Sequence, residues 1–79
     1  MGYQRDEKRI SLFGKKLREI RVSKNITQEK LSAITDLEIS QISRIERGII
    51  NTSISHLFIL ADALEISPSD LLNFNDIET

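Results

Sequence analysis

Thr27-Gln28-Glu29-Lys30-Leu31, followed by Leu37-Glu38-Ile39-Ser40-Gln41-Ile42-Ser43-Arg44-Ile45-Glu46-Arg47-Gly48, is the stretch that decides the fold. Thr27 suits an N-cap, because its hydroxyl can accept from an unpaired backbone N–H of the first helical turn. Lys30 in place of a Glu three residues on means that no full capping box forms. Leu31 and Ile34 are expected to face inward, and Thr35-Asp36 ends this helix after about two turns. The next helix is predicted over roughly 38–47, ending at Gly48 as a C′ glycine. Two short helices joined by a tight turn predict a helix-turn-helix, the unit that sets its second helix in the major groove of DNA. Such a unit performs no chemistry, so the expected function is binding rather than catalysis.

At about 100° per residue, Ile42 and Ile45 fix the core side of the second helix. Ser40, Ser43, Arg44 and Arg47 point the opposite way, with Ile39 on the flank. Base edges in the major groove present donors, acceptors and the thymine methyl, and this short, polar, cationic face suits them. Arg44 could donate two hydrogen bonds to guanine, Gln41 could serve adenine from nearer the core side, and Ile39 suits a thymine methyl. Taken alone, the same helix also reads as an ordinary amphipathic helix with a solvated face. The preceding helix favours DNA: Gln28 lies in a first turn whose unpaired N–H groups and positive dipole end grip phosphate.

Outward from this unit, Ile10, Phe13, Leu17 and Ile20 form a helical stripe, predicting helix 1 near 6–24 with Asn25 as a stop. After the connector Ile49–Ser53, Ser53 or Thr52 caps helix 4, whose buried stripe is Ile54, Leu57, Leu60, Ala61 and Leu64. Ser67 caps helix 5, with Pro68 at the first position, where its missing N–H costs little. Leu71, Leu72 and Phe74 follow, and the tail Asn75–Thr79 is expected to fray. The prediction is all-α: one five-helix domain over 1–79, with its core at about 8–74.

The 79 residues carry a formal net charge of −1, but unevenly. All 11 Lys and Arg lie within 1–50, against seven acids; 51–79 hold five acids and no base. A basic half and an acidic half suggest one face for phosphate and another for a different contact, against plain asymmetry in a short chain. With no Cys there is neither a disulfide framework nor a thiolate metal site. The single His56, read as pointing outward, has no acid–nucleophile set around it. No metal, cofactor or small-molecule ligand is expected, because nothing of the chain remains beyond the predicted binding unit. No apolar run approaches the roughly 18 residues of a membrane span, and the charged start Met1–Arg9 has no signal region. The expectation is a cytoplasmic protein.

Phe13-Gly14-Lys15-Lys16-Leu17-Arg18-Glu19-Ile20-Arg21, Thr27–Leu31, Ile42–Gly48 and Leu60-Ala61-Asp62-Ala63-Leu64 resemble the XRE family of helix-turn-helix regulators. That family includes lambda-type repressors, Cro proteins and restriction–modification controller proteins. The resemblance covers about residues 12–72 and implies a lambda repressor-like bundle, with helix 3 as recognition helix and a symmetric dimer on a palindromic operator. By position it implies that Gln28 contacts phosphate and that Ile39, Ser40 and Arg44 face bases, with Glu38 and Gln41 near them. Arg47 and Asn51 would touch the backbone, and Arg21 and Glu46 would form a partly buried ion pair; a free phosphate-binding Arg21 is the alternative. The chain departs from the family pattern at Ser32, where Ala is usual, at Asp36 in place of Gly, at Thr52 in place of Pro, and at Glu38 in place of a small cap residue.

On helix 4, Ile59 projects away from the stripe. It reads either as a tolerated surface residue or as part of an apolar homodimer patch with Pro68, Leu72 and Phe74. A dimer would set two recognition helices about 34 Å apart, one turn of duplex. The expected function is a sequence-specific, double-stranded DNA-binding transcriptional regulator. The alternative is an antitoxin or other protein-interaction module using the acidic half.

Overall fold

A computed structural model describes residues 4–74. These form α1 (Glu7–Ser23), α2 (Gln28–Thr35), α3 (Ile39–Glu46), α4 (Ile54–Leu64) and α5 (Pro68–Leu71), with no strand among them. The expected all-α bundle is present: α1, α2 and α3 begin and end within a residue or so of their predicted bounds, and α4 and α5 begin directly after predicted caps. The fraying expected of Asn75–Thr79 lies outside the described residues.

Four of the five starts have a side-chain cause; Glu38, at the N-cap of α3, makes no cap hydrogen bond. Asp6 accepts from the Arg9 backbone N–H at 3.0 Å and from the Arg9 guanidinium at 2.7 Å. The backbone contact, foremost, holds its carboxyl below the ordinary carboxylate value. The Thr27 hydroxyl accepts from Lys30 N at 3.0 Å, and Ser53, not Thr52, caps α4 by accepting from His56 N at 3.1 Å. Ser67 opens α5 with a capping box: Asp70 accepts from the Ser67 N–H at 3.0 Å, and Pro68 takes the first position.

Three helices end alike. Asn25, Gly48 and Glu65 take left-handed backbone at φ 58°, 72° and 58°. In each case the following isoleucine reaches back: Ile26 N to Arg21 O at 3.1 Å, Ile49 N to Arg44 O at 2.9 Å, Ile66 N to Ala61 O at 3.0 Å. This is the Schellman pattern, which satisfies carbonyls that the helix leaves open. Ile26 and Ile66 pack against the core from that position.

The α2–α3 turn rests on Asp36, in the left-handed region at φ 69°. Ser32 donates its hydroxyl to the Leu37 carbonyl at 2.6 Å. Thr35 donates to Leu31 O at 2.7 Å and accepts from Leu37 N at 3.2 Å. The hydroxyl of Ser32, where the family pattern has Ala, thus ties the turn.

One core joins the elements: Phe13 and Leu17 from α1, Leu31 from α2, Leu37 from the turn, Ile42 and Ile45 from α3, Leu60, Ala61 and Leu64 from α4, and Leu71 from α5. Full burial of one such Leu or Ile stabilises by about 1.5–3 kcal/mol. Two predicted core positions are corrected. Ile34 is 49% exposed, because the inward stripe of α2 is Gln28, Leu31, Ser32 and Thr35, and Ile34 stands roughly 120° from its middle. Ile54 is 70% exposed: it is the first residue of α4 and projects past the end of the core.

Gly14 carries a contact that the stripe analysis did not single out. It lies where α1 crosses the C-terminal end of α3. A Cβ there would overlap the Ile45 carbonyl oxygen and stand 2.7 Å from that of Glu46. Glycine lets the two backbones touch and so sets how closely α3 is seated.

Candidate nucleic-acid interface

The outer side of α3 is open. Ile39, Ser40 and Arg44 are exposed, as are Glu38 at its N-cap, Arg47 at its C-cap and Asn51 beyond it. Ile42, Ile45 and Glu46 on the other side are buried. Among the described residues the Arg44 guanidinium has no hydrogen bond or ion pair, so its fork of donors is available. Ser43 is half-buried, and its hydroxyl accepts from Arg47 Nε at 3.2 Å. That bond draws the Arg47 side chain back along its own helix, toward the Ser43 carbonyl.

Behind this face lies a buried polar joint. Arg21 Nε donates to Glu46 Oε2 at 2.6 Å and Nη2 to Oε1 at 3.0 Å, with each residue 7% exposed. A third donor, Nη1, reaches the Ile26 carbonyl at 2.8 Å. Hydrogen bonding to Glu46 is the main reason the Arg21 guanidinium is raised above its ordinary value. The implied ion pair is therefore present, and the alternative of a free phosphate-binding Arg21 is set aside. Gln28 joins it, donating from Nε2 to Glu46 Oε1 at 3.0 Å. Ends of α1, α2 and α3 meet at one carboxylate, so the first turn of α2 and the open helix α3 are held as one body. The amide nitrogen of Gln28 has two N–H groups, and the bond to Glu46 uses one.

Two placements differ from the sequence reading. His56 does not point outward: it is half-buried against α3, with Nδ1 3.3 Å from Gln41 Nε2 and 3.4 Å from Thr52 Oγ1. Gln41 is half-buried by the same contact. A contact fifteen residues apart leaves no periodic signal, and in the sequence Thr52 reads only as a possible helix 4 cap or as a departure from the expected proline. On the acidic half, Ile59 and Leu72 are exposed at 38% and 51%, whereas Pro68 is half-buried and Phe74 packs against the core. Ile54 and Phe58, one helical turn apart and 70% and 51% exposed, extend the apolar surface that the sequence reading had limited to Ile59 and α5.

A buried-braced helix offering serine, isoleucine and arginine to solvent, preceded by a turn with open N–H groups, defines a DNA-binding helix-turn-helix regulator. The family model described as Helix-turn-helix, HTH_3, matches residues 17–71, and the chain belongs to this XRE-type family. It is similar to the control protein C.BamHI of Bacillus amyloliquefaciens, 48% identical over 67 residues, covering 84% of this chain and 83% of that protein. Among solved structures it resembles the restriction–modification controller protein C.AhdI from Aeromonas hydrophila: TM-score 0.77, 39% identity, covering 78% of this chain and 94% of that one. It also resembles the controller C.Esp1396I, solved as a tetramer in complex with its natural 35 base-pair operator: TM-score 0.73, 32% identity, covering 78% and 82%. The family is regulatory and DNA-binding rather than enzymatic. Among the described residues no helix is long and apolar enough to cross a membrane.

Proposed function

We propose that this chain, as one domain, is a controller-type transcriptional regulator that binds a palindromic operator in double-stranded DNA as a homodimer and governs restriction–modification genes from the cytoplasm. The observation that carries this is the open face of α3, with Arg44 unpaired and the joint of Arg21, Glu46 and Gln28 fixing its pose from behind. In this reading Arg44, Ser40 and Ile39 read base edges, with Glu38, Gln41 and Ser43 beside them. Gln28, Arg47 and Asn51 hold the phosphate backbone, and positioning and reading are thereby divided. The relatives support the setting, since they are controllers and one was solved on its operator.

The acidic half supplies the dimer contact, through Ile59 and Leu72 with Ile54, Phe58 and the flanking Pro68 and Phe74. This leaves the basic half free for DNA. Selection from random duplexes tests the proposal. A two-fold symmetric motif is expected, with affinity falling steeply with salt as counterions are released. Binding without sequence preference, or no binding at low salt, would overturn it.

A further inference from the structure

The sequence holds a single histidine, and the structure places it not in open solvent but behind the reading helix. Its Nδ1 stands 3.3 Å from the Gln41 amide nitrogen and 3.4 Å from the Thr52 hydroxyl. His56 is fixed on its own side, in the first turn of α4, where its backbone N–H donates to the Ser53 cap. We propose that His56 is a positioning residue for DNA specificity: it orients the Gln41 amide, and the charge on the ring decides which base Gln41 selects. This rests on Gln41 facing the bases, as proposed above.

The chemistry follows from donors and acceptors. A neutral ring with its proton on Nε2 accepts at Nδ1 from one N–H of Gln41. The amide then presents its oxygen and its second N–H outward, the acceptor–donor pair that adenine requires. A protonated ring donates at Nδ1 and can no longer accept there. The amide must turn its oxygen toward the ring or leave it. Turned, it shows its NH₂ to the groove, which suits the two acceptors of guanine and not adenine. Thr52 shares Nδ1 and limits the ring's swing.

The charged groups on the surrounding elements leave the ring to these neutral partners. Glu38 at the N-cap of α3 and Arg44 on it flank Gln41, Glu29 and Lys30 lie on α2, Asp62 on α4 and Asp70 on α5; all are exposed, and none of them forms an ion pair with His56. The sequence holds no second histidine and no cysteine.

Base preference at each operator position is measured by competition binding of the full chain at about pH 8 and about pH 5.5. Gln41→Ala identifies the position that Gln41 reads. There the wild type is expected to favour adenine about tenfold at the higher pH and to lose that preference at the lower. His56→Asn, which keeps an acceptor beside the amide but does not titrate, should hold adenine at both values. His56→Leu should lose it at both, with preference elsewhere in the operator unchanged. A preference at that position unmoved by pH and by both His56 variants overturns the positioning role while leaving Gln41 a base reader. If Gln41→Ala alters no position, the base-reading role falls and the proposal with it.

Discussion

Arg21 and Glu46 join the end of α1 to the end of α3 through two parallel hydrogen bonds, at a point where water is nearly excluded from both. Removing one partner would leave the other charged and buried. Arg21→Leu or Glu46→Leu is expected to cost about 3–5 kcal/mol, a large share of what a domain this small can hold. The double substitution, with both charges gone, should recover much of that loss. Because the pairing raises the Arg21 guanidinium, its contribution is complete below the ordinary guanidinium value and is lost only as pH rises past the raised one. Urea denaturation of the three variants measures this. Single variants as stable as the wild type would show that the pair does not hold the helices.

Gly14 makes an opposite demand on the same junction. In an isolated helix, alanine would stabilise by about 1 kcal/mol over glycine. Here its Cβ would press on the backbone carbonyls of Ile45 and Glu46, which cannot rotate aside. Gly14→Ala is therefore expected to destabilise by about 1–3 kcal/mol and to shift α3 outward. Thermal unfolding gives the sign directly, and a raised Tm would contradict the close approach.

How far the sequence could be read depended on range. Caps are local: Thr27, Ser67 and the glycine exit at Gly48 were legible because their partners lie within a few residues. The Arg21–Glu46 pair spans twenty-five residues and was reached only through family resemblance. Periodicity named the faces of the helices but not where a helix outruns the core. Ile54 was thus placed inside, and Ile34 was misplaced on a helix too short to average the error. The contact of His56 with Gln41 had no local signal at all. It arises from where the fold sets the first turn of α4 relative to Gln41, which packing decides and spacing does not.

Asp36 is a site of stored strain. It holds the helix-turn-helix turn at φ 69°, a region costing an L-residue roughly 1 kcal/mol more than glycine. Its backbone N–H donates to Ser32 O at 2.8 Å, a bond that glycine keeps. Asp36→Gly is expected to stabilise by up to about 1 kcal/mol, offset in part by glycine's freedom in the unfolded chain. Ser32→Ala, which removes the hydroxyl bond to Leu37 O, should cost about 1 kcal/mol. Chemical denaturation of the two variants should move in opposite directions. A common direction would mean that the turn is not under this strain.

Self-association should respond to the exposed apolar residues of α4. An ionised Glu at a buried dimer contact loses its hydration without gaining a partner. Ile59→Glu and Phe58→Glu are each expected to raise the monomer fraction in sedimentation velocity while leaving helix content unchanged. Phe58, 51% exposed, should act at least as strongly as Ile59 at 38%. A monomer fraction unchanged in both variants would move the dimer contact off this helix.

Reading and gripping should separate in binding measurements. Arg44 has its full fork of donors open, so Arg44→Ala is expected to relax one base pair per half-site by about 1–3 kcal/mol. Arg47 is exposed and cationic, and as the phosphate contact proposed above its loss should weaken all sequences alike and lower the salt slope by about one. Gln28 is neutral, so Gln28→Ala should weaken all sequences while leaving the salt slope unchanged, because no counterion is displaced. That variant also loses the bond to Glu46, worth about 1 kcal/mol of stability, so affinity is to be measured well below its unfolding temperature. Taken together, the three variants give three distinct signatures in one titration series. If Arg44→Ala behaved as Arg47→Ala does, Arg44 would be a backbone contact, and base reading would pass to Ser40, Gln41 and Ile39.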